Sequence, residues 1–413
     1  MSALTALARA EAAAAGVAQP IATVAHLHVA PRPLVCVPLT LAGETNATLA
    51  VAVGGDRAAP TVLVVPQPRD RDLAAAFAAD LAAVVLPYLD SCRGARETVP
   101  VERGRQTRER YREAPQVWVP NPGGVAYLAL LGRALRFRGP RPGGSDAQPR
   151  AAEAARLGCW LTFLADRAEL PGSALVVPAT AALAGHWATG QSAVEDGHLG
   201  ALLAWIAPPE GRTGAGAAAA AEDPAVCPPA GPATDPAFDR EVLAPLMAAY
   251  DRGRRGAEAR LREALAAQLL PTWRLVWQGY DLLSALPPGA SVPVRWAQDR
   301  DAFTAYAAHL DDGGGPQPRR DSAVAAAARL HRMERAAAAY ARQRAYDDPL
   351  VLAEYRLSGE AFAGEVVHAD PERVDDTGRR PVPRPRLTVR SDDPVAVPVG
   401  ATVCAPARPR QKG

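Results

Sequence analysis

The chain has 413 residues, 48% of them hydrophobic, and 46 basic against 44 acidic residues give a net charge of +2. That length exceeds what one hydrophobic core usually serves, so two or three domains are expected. Only Lys412 is a lysine, which excludes P-loop nucleotide hydrolysis, a pyridoxal Schiff base, a kinase-type lysine and an S-x-x-K nucleophile, because each needs a lysine at an ordered position.

Charge is segregated along the chain. Residues 93–150 hold twelve Arg against five acids, residues 379–413 hold seven Arg and Lys412 against two, and residues 186–240 hold seven acids against two Arg. Such segregation fits a polyanionic partner, or two faces of the molecule that pair with each other. The five cysteines, at 36, 92, 159, 227 and 404, form no C-x-x-C, which argues against a zinc module or a secreted disulfide framework. The N-terminus reads as a helix, not a signal peptide, and no run of about eighteen uninterrupted apolar residues occurs; a cytoplasmic chain without a membrane span is expected.

An Ala-rich helix is predicted over residues 2–16, ending at Gly16. Apolar runs at His26–Val29, Leu34–Leu41, Leu49–Val53 and Thr61–Val65, separated by turn residues, read as strands of one sheet. The β-branched run from Thr61 looks like a strand covered on both faces. A helix over Leu73–Leu89 follows, and a second unit repeats the plan: strand Gln116–Val119, turn 120–124, helix Val125–Phe137, with Asn121 as cap and Pro122 at the first helical position. Two such units imply right-handed crossovers, and ligands of α/β sheets bind at the carboxyl ends of the strands. An anion is therefore expected over the helix N-terminus at Asn121, helped by Arg69 or Arg71. Tight turns made by Pro and Gly explain the same residues without a ligand.

Residues 93–114 read as an Arg-rich insertion in an N-terminal α/β domain (1–139), and 140–150 as a linker. The helical domain, 151–362, has predicted helices at Ala151–Glu169, Ser173–Thr189 and Val194–Ile206, then a Pro/Gly/Ala loop over 208–236. Helices resume at Phe238–Tyr250, Arg254–Leu270, Thr272–Leu286, Val294–Leu310, Asp321–Tyr346 and Leu350–Phe362. Trp273, Val276, Trp277, Tyr280 and Leu283 make one apolar stripe, read as bundle core. Residues 363–405 read as a small β-rich segment, with strands at Gly364–His368, Arg386–Arg390 and Val395–Cys404, and 406–413 as a disordered basic tail. The expected fold is thus an α/β part with a small mixed or parallel sheet, then an α-helical bundle, then a short β-rich segment.

Three constellations carry chemistry. Leu183–Glu210 concentrates His186, Trp187, Gln191, Ser192, Glu195, Asp196, His198 and Trp205. Glu195 and His198 have the spacing of di-metal bundle ligands, but the second E-x-x-H, Glu365 to His368, falls in a strand, where positions three apart face opposite ways. A mononuclear site from His186, Glu195 and His198 supports a metal-dependent hydrolase as an alternative. The plainer reading is a helix start in which Ser192 and Glu195 form a capping box and the acids complement the dipole. His26-Leu27-His28 has the H-x-H spacing of amidohydrolase-type barrels, but the chain lacks eight strand–helix repeats. Lastly, Arg319, Arg320, Arg329, Arg332, Arg335, Arg342 and Arg344 face only Asp321 and Glu334 across residues 319–344, and Arg384, Arg386 and Arg390 follow on the tail. Guanidinium groups bind phosphates bidentately, so nucleic-acid backbone is a natural partner. A solvated helix face encoded by a GC-rich genome gives the same charges.

The stretches PRPLVCVPLTLAGE, LVVPQPRDRDL, HWATGQSAVEDGHLGALLAWIAPPEG, CPPAGPATDPAFD, DDPLVLAEYRLSGEAFAGE and PRLTVRSDDPVAVPVG resemble a conserved family of high-GC bacteria that has no characterised member. The resemblance implies no activity or cofactor; its association with helicase-like genes implies a helicase-like partner enzyme. The expected function is a non-catalytic accessory protein on DNA or RNA. Arg329, Arg332, Arg335, Arg386 and Arg390 would contact phosphate, and the helical middle would dock the partner. A scaffold with no small-molecule site is the third alternative.

Overall fold

The computed structural model describes residues 3–101, 106–138, 147–224, 227–229, 231–378, 380–405 and 408–412. The first helix, α1 (Ala3–Ala15), ends at Gly16, whose φ of +69° suits glycine. Beyond it lies the two-residue strand β1 (Gln19–Pro20). His26–Val29 is not a strand, because side chains take the backbone groups a ladder would use. The His26 N–H donates to His186, the His26 carbonyl accepts from Arg295, the His28 carbonyl accepts from Gln116, and the Ala30 N–H donates to Gln116.

The sheet starts with β2 (Leu34–Leu41), β3 (Glu44–Gly54) and β4 (Thr61–Val64), successive antiparallel neighbours. Helix α2 (Arg71–Ser91) is capped by the Asp70 carboxylate, which accepts from the N–H groups of Asp72 and Leu73. The Arg-rich insertion forms a hairpin, β5 (Arg96–Val101) with β6 (Gln106–Tyr111). Its cross-strand charges pair, Arg110 with Glu97, and Arg110 also reaches Asp301, outside the hairpin. Then come β7 (Val117–Val119), α3 (Pro122–Leu135), α4 (Ala147–Ala168) and β8 (Val176–Pro178). The order is β4-β3-β2-β7-β8, with β2–β7 and β7–β8 parallel, so the sheet is mixed. Thr61–Val64 is therefore an edge strand beside β3, partly exposed along its length, not a strand covered on both faces.

Two expected boundaries fall inside elements. Helix α4 begins at Ala147, within the expected linker, whose residues 140–146 lie outside the described residues. The span predicted as a helix over Ser173–Thr189 instead supplies the fifth strand through Val176-Val177-Pro178, then a short α5 (Ala179–Ala184) and β9 (Trp187–Ala188), which pairs with β1. Two valines before a proline disfavour helix and suit an edge strand.

A 3₁₀ turn at Glu195–Gly197 leads into α6 (Leu199–Ile206), and the Pro/Gly/Ala loop contains α7 (Gly214–Glu222). A short α8 (Pro236–Phe238) passes through a π-turn into α9 (Ala244–Asp251). Helix α10 (Ala257–Ser284) then runs 28 residues straight through Pro271, where two helices were expected. Leu261, Leu265, Leu269, Trp273, Val276, Trp277 and Leu283 are all buried along it. At roughly 1.5–3 kcal/mol for each large side chain, that burial outweighs the ~3 kcal/mol an interior proline costs.

After α11 (Val292–Asp311), α12 (Ala323–Asp347) and α13 (Pro349–Ser358), the tail forms separate two-stranded pairs. These are β10 (Glu365–Asp370) with β13 (Arg386–Arg390), β11 (Val374–Asp375) with β12 (Val382–Pro383), and β14 (Cys404–Ala405) with β15 (Arg408–Lys412). Strand β15 lies in the span expected as a disordered tail, of which 406, 407 and 413 lie outside the described residues. Residues 395–403, expected as a strand, form none.

Both sheet faces are covered. On one, α2, α3, α4 and α11 bury Phe77, Leu81, Leu89, Leu128, Leu157, Trp160 and Phe303 against Val51, Val53 and Val117. On the other, α5, α6 and α10 bury Leu183, Leu202, Leu265, Trp273 and Val276 against Val35, Val37, Ala50 and Trp118. The helical middle thus supplies one outer layer of the N-terminal sheet and, together with α2 and α3, part of the other. By length and composition α2 could cross a membrane, but Phe77, Leu81, Val85 and Leu89 pack into the first of these cores.

Candidate polyanion interface

The carboxyl end of the sheet, where an anion was expected, is filled by the chain itself. Asn121 caps α3, accepting from the Gly124 N–H, and donates through Nδ2 to the Gly231 carbonyl at 2.9 Å. Pro232 lies over the turn: a methyl group on Gly123 would come within 2.6 Å of its Cδ. The Pro232 carbonyl accepts from the Thr40 N–H, and the Ala42 N–H donates to Asp239. Residues 231–239 therefore close the ends of β2 and β7, and the predicted anion position at Asn121 is occupied by Pro232. Arg69 is paired with Glu44. Arg71, exposed at the start of α2, has no ion pair among the described residues.

The segment Leu183–Glu210 is dense in polar groups because they hold one another. His186 Nδ1 lies 2.7 Å from the Ala182 carbonyl and so carries the proton, while Nε2 accepts the His26 N–H at 3.0 Å. No nitrogen lone pair is left there for a metal. His198 Nδ1 accepts the Ala201 N–H as the cap of α6. Burial holds both imidazoles below the ordinary histidine value. Glu195 is exposed and accepts the Ser192 N–H at 2.6 Å, while its own N–H donates to Ser192 Oγ, the reciprocal capping box read from the sequence. Asp196, buried, accepts from Arg9, Thr189 and Gln191. His186, Glu195 and His198 thus serve three separate local structures, and among the described residues no three His, Cys, Asp or Glu side chains gather as metal ligands.

His26 and His28 also diverge. His28 stacks on Trp296 with ring centroids 4.1 Å apart, and its pKa falls to about 4 through burial and Arg300. His26 Nε2 lies 3.4 Å from Asp348 Oδ2, but burial and then Arg344 outweigh that carboxylate and hold the pKa at about 3, so the ring is neutral. Asp348 instead accepts from the Thr23 N–H and hydroxyl and from the Leu350 N–H, capping α13. The second E-x-x-H is likewise structural, with Glu365 paired to Arg390 at 2.8 Å.

The basic helix is divided. Arg329 is paired with Glu169 and lies 3.6 Å from Asp166 and 3.7 Å from Asp321. Arg332 and Arg335 are exposed and make no ion pair among the described residues, as does Arg386 on β13. Of the residues expected to contact phosphate, Arg71, Arg332, Arg335 and Arg386 keep free guanidinium groups; Arg69, Arg329 and Arg390 are already matched by carboxylates.

A further set of guanidiniums without carboxylate partners lies at the end of α3, where Arg133, Arg136 and Arg138 were not among the expected contacts; Arg133 donates through Nε to the Ala129 carbonyl at 3.1 Å. Helices α3 and α4 cross closely at two glycines: a methyl on Gly132 would lie 2.7 Å from the Thr162 nitrogen, and one on Gly158 2.4 Å from the Arg136 nitrogen. That crossing fixes Arg136, which is buried and donates to Thr162 Oγ1 at 3.3 Å and to the Pro318 carbonyl at 2.8 Å. Around it Arg133, Ala134, Phe137, Arg138 and Arg319 line a shallow hollow of about 330 Å³. Phe137 is 42% exposed, with the Cζ atoms of Arg136 and Arg319 at 5.1 and 5.0 Å from its ring centroid. Among the described residues Arg133, Arg138 and Arg319 have no carboxylate partner. A second hollow of about 470 Å³ shares Arg136 and adds Arg156, Cys159, Leu310 and Asp311. The signal was present as Arg133-Ala-Leu-Arg-Phe-Arg138 within the Arg-rich span. Its fourth guanidinium, Arg319, lies far along the chain and joins only through the fold. Set against protein-family models, curated proteins and solved structures, the chain matches none of them, so the reading of this surface rests on its geometry.

Proposed function

We propose that the protein is a non-catalytic accessory factor that binds the phosphate backbone of nucleic acid, working with a helicase-like partner enzyme. The carrying observation is the cluster of Arg133, Arg138 and Arg319 around the fixed Arg136, without carboxylates to balance it. Many arginines elsewhere are matched by carboxylates: Arg9 with Asp196, Arg57 with Asp281, Arg93 with Asp311, Arg167 with Asp299. Gathering like charges without counter-charges costs free energy that a bound polyanion offsets. Guanidinium suits phosphate because its planar donors meet two oxygens at once and it stays charged at any relevant pH. Arg332 and Arg335 on α12, and Arg386 on β13, are further free guanidiniums for the same ligand.

Electrophoretic mobility of labelled DNA and RNA checks this directly. Retardation at low salt that disappears as salt is raised is the expected result, and reversing two charges (Arg133→Glu with Arg138→Glu) is expected to weaken binding about tenfold or more. Unchanged mobility of both nucleic acids at low salt overturns the reading.

A further inference from the structure

The hollow at the end of α3 contains more than charge. A duplex backbone presents phosphates and sugars, for which arginines alone suffice; an exposed aromatic ring among them gains nothing from a base held within the double helix. An unstacked base has a free π-face that can lie on such a ring. The two arginines beside Phe137 differ in how they are held. Arg136 is buried and hydrogen-bonded to Thr162 and Pro318, so its place is part of the scaffold. Arg319 makes no hydrogen bond or ion pair among the described residues, and its Cζ rests 5.0 Å from the ring centroid. It is therefore the group able to leave the ring for a phosphate.

We infer that this surface prefers single-stranded nucleic acid. One base stacks on Phe137 in place of the Arg319 guanidinium, and Arg133, Arg138 and the displaced Arg319 hold the flanking phosphates. The inference rests on the backbone-binding reading and adds the ligand's form. Arg136 keeps its position, its guanidinium balancing the charge of the bound strand. Asp311, in the neighbouring hollow, repels phosphate and so favours a path for the strand across Arg133, Arg138 and Arg319.

The test uses the full chain with labelled oligothymidylate, an abasic strand of the same length and a duplex of the same length, followed by fluorescence anisotropy. The expected order is oligothymidylate tightest, with abasic strand and duplex similar and weaker. Phe137→Ala is expected to cut oligothymidylate affinity roughly ten- to hundredfold, as loss of one stacked base does, and to leave the other two unchanged. Phe137→Trp is expected to restore affinity and to lose indole emission on binding, a signature of stacking that a merely structural role would not produce. Binding that is equal for all three ligands and indifferent to Phe137→Ala overturns this inference while sparing the backbone reading. Absence of binding to any of them overturns both.

Discussion

Asp299 and Arg138 are both charged, and the protein treats them in opposite ways. Asp299 is 1% exposed and accepts from Arg167, from the Ser173 hydroxyl and from the Ala174 N–H, so the cost of burying the charge is met by three donors. Arg138 stands at the surface beside Arg133 and Arg319 with no acceptor of its own among the described residues. The same contrast separates the two polar regions of the chain. In Leu183–Glu210, Asp196, His186, Glu195 and His198 each have their partners within the chain. At the end of α3 the guanidinium groups have donors to spare. A dense polar segment whose groups satisfy each other is structure; a surplus of one charge without acceptors is where a ligand is to be sought.

The contrast can be sharpened from its buried side first. Asp299→Ala strands Arg167 and two further donors, and a loss of about 3–5 kcal/mol in urea unfolding is expected. A loss below about 1 kcal/mol would mean that the network carries little. Gly123→Ala forces a methyl group against Pro232, with an expected loss of about 1–3 kcal/mol. Unchanged stability there would mean that residues 231–239 do not close the sheet end.

Acidity acts on the same interior. The folded pKa values of His26 and His28, about 3 and 4, lie below the ordinary 6.5, so between those limits the unfolded chain binds more protons than the folded one. Stability is therefore present in full above about pH 6.5 and declines as pH falls toward 4. Urea midpoints measured across that window read the slope; a flat profile would contradict neutral burial of these rings. At the surface, the paired Arg329 and the unpaired Arg332 separate cleanly. Arg329→Ala is expected to cost less than about 1 kcal/mol of stability and to change nucleic-acid affinity less than Arg332→Ala does. The reverse order in anisotropy would break the distinction between matched and unmatched arginines.

Much of the architecture was legible because it is local. Leu34–Leu41 is apolar at nearly every step and forms the central strand; Asn121 caps the helix that follows it, and Ser192 with Glu195 makes the capping box. What failed was decided by distant partners. His26–Val29 has a strand's apolar pattern, but its backbone groups are taken by Gln116, His186 and Arg295. Pro271 reads as a helix break until the stripe from Leu261 to Leu283 is seen buried against the sheet. The candidate site was half visible: Arg133, Arg136 and Arg138 crowd together in the sequence. Arg319 arrives from the segment before α12, and the loss of Arg69, Arg329 and Arg390 to carboxylates depends on Glu44, Glu169 and Glu365, which only the fold brings near.

The salt dependence of binding to labelled single-stranded and duplex nucleic acid, compared between the unaltered protein and the Arg133→Glu, Arg138→Glu variant, tests the central claim most directly. The expected result is a linear fall of log affinity with log salt, at about 0.7–0.9 per phosphate contacted, with a shallower slope in the variant and the same unfolding midpoint for both. Affinity that is absent at low salt, or a slope identical in the two proteins, would contradict the assignment of phosphate to the end of α3.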